Sequence, residues 1–270
     1  MRMLGFATLL ILFWANAALA VEVACRSVDD TVAVQTAIDT AKGSRGVVTL
    51  PVGTCAVRTL DLTGSSGMTL RGQGRNVTHV RPIQDAVPAL IDLTDAYFVT
   101  LQDFTLGQGP DGSYLAPYVG ILMAFGPQAV TNVNTIERVF VSGYWRLAAL
   151  GIYGACCSSV RDSQFWNYWP AYTVAILGDQ ALGPDFRSAH LPLGAPPGSV
   201  PMWTFSAVEI HSTTPVPALY LRWTNAFTFV GGGVFGPGCL ILQSQTPQVA
   251  LTLLGLLYSS DTTGPTAIYC

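Results

Sequence analysis

A short pattern of alternating residues that returns along the chain limits the fold more than any other feature. Three eight-residue segments align by eye, at residues 99–106, 134–141 and 158–165, and each ends in a large apolar side chain. A second set of short apolar stretches also matches: residues 120–122, 151–153 and 207–210. The steps between matches vary, as in solenoids whose loops grow from the corners of successive coils. The pattern predicts an all-β solenoid in which each coil holds several short strands.

The composition is that of a folded chain with few charges. Hydrophobic residues make up 50% of the 270 residues and charged residues 11%, against about 25% charged in an average globular protein. So little charge argues against disorder. The chain also lacks the basic stripe that nucleic-acid binding requires, so we expect no nucleic-acid partner.

The first twenty residues are typical of a secretory signal peptide. Arg2 gives a positive start, residues 4–14 are almost continuously apolar, and Ala-Leu-Ala at residues 18–20 forms a cleavage site. The apolar run is short for a bilayer span, which needs about 20 residues; an uncleaved N-terminal anchor is the alternative. We expect a secreted protein, extracellular or periplasmic, with one domain over residues 21–270 and no stable membrane span after cleavage.

All 6 cysteines follow this segment. Export would place them in an oxidising compartment, where disulfides persist. The sequence alone does not choose among the many pairings. We favour a Cys25–Cys55 bridge because it would tie the segment before the first strands to those strands. Cys156 and Cys157 are adjacent, so we expect each to pair elsewhere or to remain a buried thiol.

An amphipathic helix is predicted near the start of the domain, over residues 29–43. Asp29 and Asp30 are residue types that cap helix N-termini, and Gly43 stands where a C-cap glycine would. Between them, four apolar residues recur at the spacing of one helical face: Val34, Ala37, Ile38 and Ala41. Short β-type runs separated by turns follow the helix.

This N-terminal region resembles that of the β-helix proteins of the pectate lyase superfamily, which includes pectate and rhamnogalacturonan enzymes, epimerases and phage tailspikes. The resemblance is carried, in order, by residues 29–31 (DDT), 35–39 (QxAID), 46–54 (GVVTLPVGT) and 68–74 (MTLRGxG). It is strong over residues 29–75 and diffuse afterwards. It implies a single-stranded right-handed parallel β-helix whose open end is capped by the short α-helix. It also implies action on acidic polysaccharides.

Three charged residues fall in one column of the aligned segments: Asp103, Arg138 and Asp162. Parallel strands lie about 4.8 Å apart, so alternating charges in such a column attract each other. One interpretation is a structural surface ladder, in which an exposed pair contributes roughly 0–1 kcal/mol. The other is an acidic site with a cation, and on that interpretation all three are candidate catalytic residues.

A long segment rich in Gly, Pro and Ala, residues 178–202, is a second candidate location. Loops above about 12–15 residues are usually functional or mobile. This one contains Asp185, Arg187 and His190, which together with His211 form a loose set of titratable candidates. A flexible insertion and structural histidines are the alternatives.

No motif determines the reaction. A hydrolase would need two suitably placed carboxylates. In polygalacturonases these belong to Asn-Thr-Asp, Asp-Asp, Gly-His-Gly and Arg-x-Lys motifs, and none of those motifs occurs after residue 31. A lyase would need a base and a cation to stabilise the enolate-like charge. The candidates for that chemistry are spread along the chain: the acids Asp92, Asp95, Asp103, Glu137, Asp162 and Glu209, with Arg138 or Arg161 as bases. Calcium is expected only for a lyase; otherwise no cofactor is predicted, and the metal ligands stay unknown.

Five aromatic residues are candidate sugar-stacking groups, because rings combine apolar area with a polar edge. They are Tyr144, Trp145, Trp166, Trp169 and Trp203. Most of them stand just after predicted coil strands, where corners are expected. The alternative is that they pack in the interior, as most large aromatic residues do.

Two functions therefore stay open. The first is a secreted enzyme, a lyase or glycoside hydrolase that acts on an acidic or surface glycan. The second is a non-catalytic glycan-binding or surface structural protein of the adhesin or tailspike kind. Both imply a polysaccharide or cell-surface glycan as partner. Because no cap is evident at the C-terminal end, we expect that end to be covered either in a homo-oligomer or by another partner.

Overall fold

The computed structural model describes most of the chain from Leu19 onward. The described residues are 19–26, 28–107, 115–124, 133–153, 155, 157–177, 203–222, 226–237, 240–243, 250–255, 257–259 and 268–269. Most of the expected signal peptide and the whole segment 178–202, with Asp185, Arg187 and His190, lie outside these residues. Within the described part, no helix is long and apolar enough to cross a membrane.

Short strands and one helix make up the described chain. The N-terminal elements are β1 (Ala20–Glu22), α1 (Thr31–Ala41), β2 (Val47–Thr49), β3 (Gly53–Val57), β4 (Leu60–Asp61), β5 (Thr69–Arg71), β6 (Thr78–Pro82) and β7 (Ala89–Asp92). The central elements are β8 (Thr100–Gln102), β9 (Thr105–Gly107), β10 (Val119–Ala124), β11 (Thr135–Glu137), β12 (Phe140–Gly143), β13 (Ala148–Tyr153), β14 (Ser159–Arg161), β15 (Gln164–Asn167) and β16 (Tyr172–Leu177). The C-terminal elements are β17 (Trp203–Ser212), β18 (Leu219–Arg222), β19 (Ala226–Phe235), β20 (Leu240–Gln243), β21 (Ala250–Leu254), β22 (Leu257–Ser259) and β23 (Ile268–Tyr269).

These strands form two sheets in which all described pairings are parallel. The larger sheet has two arms: β2, β5, β8, β11 and β14 form the first arm, and β3, β6, β9, β12 and β15 form the second. β17 and β19 run through both arms, and the smaller sheet takes the third strand of each coil. Each coil thus pairs with the equivalent strands of the next. The expected right-handed parallel β-helix is confirmed.

Inward side chains stack in register to form the core. One column runs through six successive coils, and all its members are completely buried: Leu70, Leu101, Ile136, Val160, Phe205 and Phe229. Fully burying a side chain of this kind contributes about 1.5–3 kcal/mol relative to leaving it exposed. The side chains grow larger toward the C-terminal coils, where three phenylalanine rings (Phe205, Phe227 and Phe229) lie 5.0 to 6.2 Å apart.

Small hydroxyl residues form an outward column on the same arm. Its members pair in register over seven coils: Thr69, Thr100, Thr135, Ser159, Thr204, Thr228 and Thr252. β-branched residues suit strands, and Thr–Thr and Thr–Ser neighbours add cross-strand stabilisation. The column explains why the sequence alternates so regularly between hydroxyl-bearing and apolar residues in these segments.

A left-handed backbone residue marks the corner between the two arms. Asp103, Arg138, Asp162 and Ala207 all have positive φ angles, between 50° and 63°, and the next two coils place Gly231 (φ 65°) and Gly255 (φ 63°) in the same column. Only glycine adopts this conformation without strain, although Asp tolerates it better than most residues. We call this column the αL corner. It turns the chain from the first arm into the second without interrupting the sheet.

The predicted cap helix is confirmed, with one correction. α1 buries Val34, Ala37, Ile38 and Ala41 against β1, β2 and β4, and Gly43 follows it with φ 76°. However, the side chain of Asp30 does not cap the helix. It is buried, and its two oxygens accept hydrogen bonds from the backbone N–H groups of Arg26 (2.6 Å) and Ala56 (2.9 Å). Asp30 therefore joins the N-terminal segment to β3.

The Cys25–Cys55 disulfide is also confirmed. Its Cα atoms lie 5.0 Å apart, and it fastens the same N-terminal segment to β3 that Asp30 holds by hydrogen bonds. Cys157 is disulfide-bonded as well. A covalent bond and a buried carboxylate thus hold together the end of the solenoid that α1 covers.

Replacing Asp30 by alanine is expected to lower the free energy of unfolding by about 2–3 kcal/mol, because the N–H groups of buried Ala56 and of Arg26 would lose their acceptor. Urea denaturation measures the loss. Asp29→Ala is the matched control: this neighbouring carboxylate is exposed and pairs with Arg58 on the surface, so the control should lose less. Equal losses from the two substitutions would contradict the role given to Asp30.

Replacing Ala207 by glycine is expected to stabilise the protein by about 0.5–1 kcal/mol, because release of the strained positive φ outweighs the entropy that glycine adds to the unfolded chain. Ala226→Gly is the control, since Ala226 opens β19 without a positive φ. That substitution should destabilise the protein. Thermal unfolding of both variants measures the difference, and a destabilised Ala207→Gly protein would contradict the strain.

Candidate functional site

A pocket of about 530 Å³ lies at the αL corner, on the outside of the solenoid. It is lined by Arg75, Asp103, Arg138, Asp162, Ser163, Gln164, Ala207 and Glu209. Four of these residues are consecutive members of the αL corner, and Gln164 and Glu209 pair in register two residues further along the second arm. The pocket therefore results directly from the stacking of equivalent positions. It contains all three predicted column residues, Asp103, Arg138 and Asp162.

An ion-pair ladder occupies one side of the pocket. Arg138 donates two hydrogen bonds to Asp103, from Nε to Oδ1 (2.6 Å) and from Nη2 to Oδ2 (3.0 Å). Glu137 accepts from Arg138 and also from Arg161, at 2.6 Å. Hydrogen bonding to Asp103, together with the charges of Asp103 and Asp162, raises the pKa of the Arg138 guanidinium. Arg138 therefore stays charged and is held in a defined orientation.

Two charged groups in the pocket are left without such pairing. Within the described part of the chain, the Asp162 carboxylate accepts no hydrogen bond, but it interacts with the charge of Arg138. The Arg75 side chain likewise has no ion pair among those residues, although its backbone carbonyl accepts a hydrogen bond from the Thr105 hydroxyl. Among the described residues, a carboxylate and a guanidinium that form no direct ion pair thus line the same pocket.

Glu209 is the second carboxylate available for chemistry. Its Oε2 accepts a hydrogen bond from Gln164 Nε2 at 2.8 Å and lies 3.4 Å from His211 Nε2. The side chain is 42% exposed. Because Asp162 and Glu209 come from adjacent coils, they reach the pocket from different strands. Glu209 is held by neutral neighbours, whereas the charge of Arg138 lies near Asp162.

An aromatic stack borders the pocket on the second arm. The His211 ring lies between Trp166 (centroids 4.3 Å apart, 25° between planes) and Phe235 (4.6 Å, 24°). The three residues occupy one register position of β15, β17 and β19. Burial lowers the pKa of the His211 imidazole, while its hydrogen bond to Glu209 and the charge of Glu209 oppose that shift.

The aromatic surface continues past the stack toward the next corner. Trp166 contacts Tyr168 edge-on at 6.3 Å, and Tyr168 lies 5.6 Å from Tyr144. Trp169, 36% exposed, lies over the guanidinium of Arg146 at 5.6 Å. Of the predicted stacking residues, Tyr144 and Trp166 are thus linked by ring contacts through Tyr168, and Trp169 follows Tyr168 in the chain. We call these four residues the aromatic track.

The expectation that Trp145 and Trp203 stack on sugars is wrong. Both side chains are 1% exposed and belong to the core. Trp203 Nε1 donates to the Ala155 carbonyl at 2.8 Å. The side-chain amide of Asn167 accepts from the backbone N–H of Trp145 and donates to its carbonyl. These rings are too deeply buried to meet a ligand. They pack the interior instead, as the alternative interpretation proposed.

The alignment of residues 207–210 also needs correction. The sequence pattern grouped them with residues 120–122 and 151–153, which belong to the smaller sheet. The strand pairing instead places Ala207 in the αL corner after Asp162, and Glu209 opposite Gln164. Extending the column of Asp103, Arg138 and Asp162 by one more coil would have brought Glu209 to the site. Arg75 carries no comparable signal, because its turn has no counterpart in the aligned segments.

The remaining site expectations concern metals and the loop residues. Among the described residues, no three His, Cys, Asp or Glu side chains form a group that could hold a metal ion. Calcium stays a prediction tied to lyase chemistry. Asp185 and His190 are outside the described residues, and their candidate roles remain predictions.

No protein-family model matches the chain. No curated protein matches it either. Among solved structures, it is similar to ORF18 of Geobacillus virus E2, with 14% identity and a TM-score of 0.40 over 92% of this chain and 62% of that one. The chain thus spans less than two thirds of the viral protein.

Two further solved structures are similar, and both are A-modules of mannuronan C-5 epimerases from Azotobacter vinelandii. The AlgE4 module shares 15% identity, with a TM-score of 0.38 over 93% of this chain and 97% of that one. The AlgE6 module shares 16% identity, with a TM-score of 0.41 over 91% and 74% of the two chains. At these identities and TM-scores, none of the three determines the activity of this chain.

The Asp103–Arg138 pair is expected to show a coupling energy of about 0.2–1 kcal/mol, the usual range for exposed ion pairs. A double-mutant cycle with Asp103→Asn and Arg138→Gln measures it by urea denaturation. Because salt screens exposed charges, the coupling should shrink at high ionic strength. A much larger coupling that salt does not change would show that the ladder is shielded from solvent, contrary to the exposure of Arg138.

Proposed function

We propose that the protein binds a polysaccharide along the outer face of its second arm and hydrolyses a glycosidic bond at the αL-corner pocket. The observation that carries this proposal is that two carboxylates from adjacent coils, Asp162 and Glu209, face one pocket outside the ion-pair ladder. Glycoside hydrolysis needs two such groups: one protonates the leaving oxygen, and the other activates water or attacks the sugar.

The placement of the two residues supports this reaction. Asp162 and Glu209 come from adjacent coils, about 4.8 Å apart, and both line the same pocket. An inverting enzyme needs two carboxyl groups that flank the scissile bond with room for a water molecule between them.

The hydrogen bonds support a division of roles. Gln164 and His211 both approach Glu209 Oε2 and orient this carboxylate at the pocket, which suits the base that takes a proton from water. Asp162 accepts no hydrogen bond within the described residues, and as the second carboxyl group of the pocket it would protonate the leaving oxygen.

The pocket and the aromatic track supply the substrate contacts. The guanidinium of Arg75 is exposed at the pocket and unpaired among the described residues, so it is placed to bind a carboxylate or sulfate substituent on a sugar. Tyr144, Tyr168 and Trp169 offer ring faces and edges beyond the pocket. Rings of this kind combine apolar contact area with polar edges. An acidic or surface glycan lying along β15 would touch both regions.

Export is part of the proposal. A signal peptide over residues 1–20 would bring the chain to an oxidising compartment, and the Cys25–Cys55 bridge suits that compartment. The glycan partner would then be extracellular or periplasmic. The low content of charged residues agrees with a partner that is bound by rings and hydroxyl groups and not by a broad electrostatic surface.

A non-catalytic glycan-binding role is the second candidate. The observation in its favour is the ion-pair ladder, in which Asp103, Arg138 and Glu137 satisfy one another without a ligand. Much of the charge in the pocket is thus structural. On this alternative, the aromatic track binds the glycan and Asp162 and Glu209 contribute only contacts.

A polysaccharide panel distinguishes these functions. Protein starting at Val21 is incubated with neutral and acidic polysaccharides, with and without calcium, while new reducing ends and the absorbance of unsaturated uronates are recorded. Hydrolysis predicts reducing ends without absorbance. Asp162→Asn and Glu209→Gln should each lower the rate by about 10²-fold or more, because each removes a proton-transfer group.

The control variant is Asp39→Asn, which removes an exposed carboxylate on α1, far along the chain from the pocket. It should leave the rate unchanged. A rise in absorbance would replace hydrolysis by β-elimination. Retained binding without any product, lost on Tyr168→Ala, would favour the non-catalytic role.

A further inference from the structure

The rings of Trp166, His211 and Phe235 form a continuous stack on the second arm. Two rings cover both faces of the imidazole, at 4.3 and 4.6 Å, and the planes are tilted by only 25° and 24°. Parallel pairing of β15, β17 and β19 sets this arrangement, since the three residues are direct register partners. A histidine held on both faces can interact with polar groups only through its edge.

That edge is directed at Glu209. His211 Nε2 lies 3.4 Å from Glu209 Oε2, and the same oxygen accepts from Gln164 at 2.8 Å. The backbone carbonyl of His211 is itself anchored, because it accepts a hydrogen bond from the Thr173 hydroxyl at 2.8 Å. Ring stacking and backbone anchoring thus restrict both the position and the rotation of the imidazole.

We infer that His211 is a positioning residue for Glu209: clamped between Trp166 and Phe235, it holds the carboxylate at the wall of the pocket through Nε2. The role of Glu209 as the base rests on the proposed function, but the coupling of the two side chains does not. His211 touches no substrate in this scheme and acts only through Glu209.

Within the part of the chain that the structure describes, few charged side chains are register neighbours of the imidazole. On its own strand the charged neighbour is Glu209; β15 contributes Gln164 and Trp166, and β19 contributes Phe235, all of them neutral. The protonation of His211 is therefore governed by two opposing influences, the burial between the rings and the attraction of Glu209. Removing either one should move the titration of His211 in a known direction.

This pairing has a consequence for the pH dependence of the site. Burial lowers the pKa of His211, so near pH 7 the ring is neutral and can donate one N–H to Glu209. Proton uptake at lower pH converts that contact into an ion pair. The His211 ring therefore holds Glu209 in place both when the imidazole is neutral and when it is protonated.

Titration of the imidazole protons by NMR tests the coupling without any substrate. The chain has 3 histidines, and the signal that is missing in His211→Asn identifies the one of interest. Its midpoint should lie below about 6.5, the ordinary value for histidine. Glu209→Gln should lower the midpoint further, by about half a pH unit or more, because the attracting charge is gone.

Trp166→Leu is the complementary variant. It opens one face of the imidazole to water, so the midpoint should move up toward 6.5. His79→Asn is the control, since His79 lies on β6, away from the stack, and it should leave the His211 titration unchanged. A His211 midpoint that is the same in the native protein and in Glu209→Gln would overturn the coupling.

The pH dependence of activity in His211 variants separates this inference from the proposed function. If a glycan is cleaved, His211→Ala should shift the acid limb of the kcat/KM profile to higher pH, because a carboxylate that loses a donor is easier to protonate. His211→Asn, whose amide can still donate, should restore part of the profile. If the His211→Ala enzyme is active and the acid limb of its kcat/KM profile lies at the same pH as in the native enzyme, the positioning role of His211 is overturned. If no glycan is cleaved but the NMR shifts appear, the hydrolase proposal fails and the coupling stands.

Discussion

Backbone hydrogen bonds between successive coils hold equivalent residues about 4.8 Å apart, and this spacing governs both the core and the site. The inward column from Leu70 to Phe229 is buried because every coil repeats the same alternation. The same repetition places Asp103, Arg138 and Asp162 beside one another on the outside. A solenoid of this kind gains its stability from contacts between neighbours, so the charges on its surface are arranged by the core beneath them.

The αL corner converts this repetition into a pocket. A left-handed residue between two strands turns the chain while the sheet continues, so the side chains that flank the turn converge on one region. Four residues with side chains occupy the corner from Asp103 to Ala207, and glycines take the next two positions, Gly231 and Gly255. The strain of a non-glycine residue at this position is therefore confined to the coils that line the pocket. Such local strain is common at functional sites, and here it coincides with the charged residues.

The sequence predicted those features that a regular period controls. The helix over Thr31–Ala41 follows a 3.6-residue period, and the column of Asp103, Arg138 and Asp162 follows a two-residue alternation, so both could be read directly. Periodicity ends at the corners, where Trp145 turns inward although it adjoins the partly exposed Tyr144. The periodicity is also interrupted before β17 by the long segment 178–202. For this reason the sequence pattern groups residues 207–210 with residues 120–122 and 151–153, which belong to the other sheet. Arg75 and the partners of Glu209 depend on contacts between coils, and a single sequence does not contain that information.

The ion-pair ladder and the proposed chemistry need not compete for the same groups. Asp103 balances the charge of Arg138 through two hydrogen bonds, and the fixed guanidinium then lies near Asp162 without pairing with it directly. Without Asp103, Arg138 would have Asp162 as its nearest alternative partner in the corner column, and this is the carboxylate that the proposed hydrolysis needs. Because Arg138 is bound to Asp103, the ladder leaves the Asp162 carboxylate without a direct ion pair to Arg138. On the other side, Gln164 and His211 hold Glu209 through contacts with its Oε2. The two carboxylates differ because their neighbours differ, which is the usual way in which paired carboxylates take separate roles in hydrolysis.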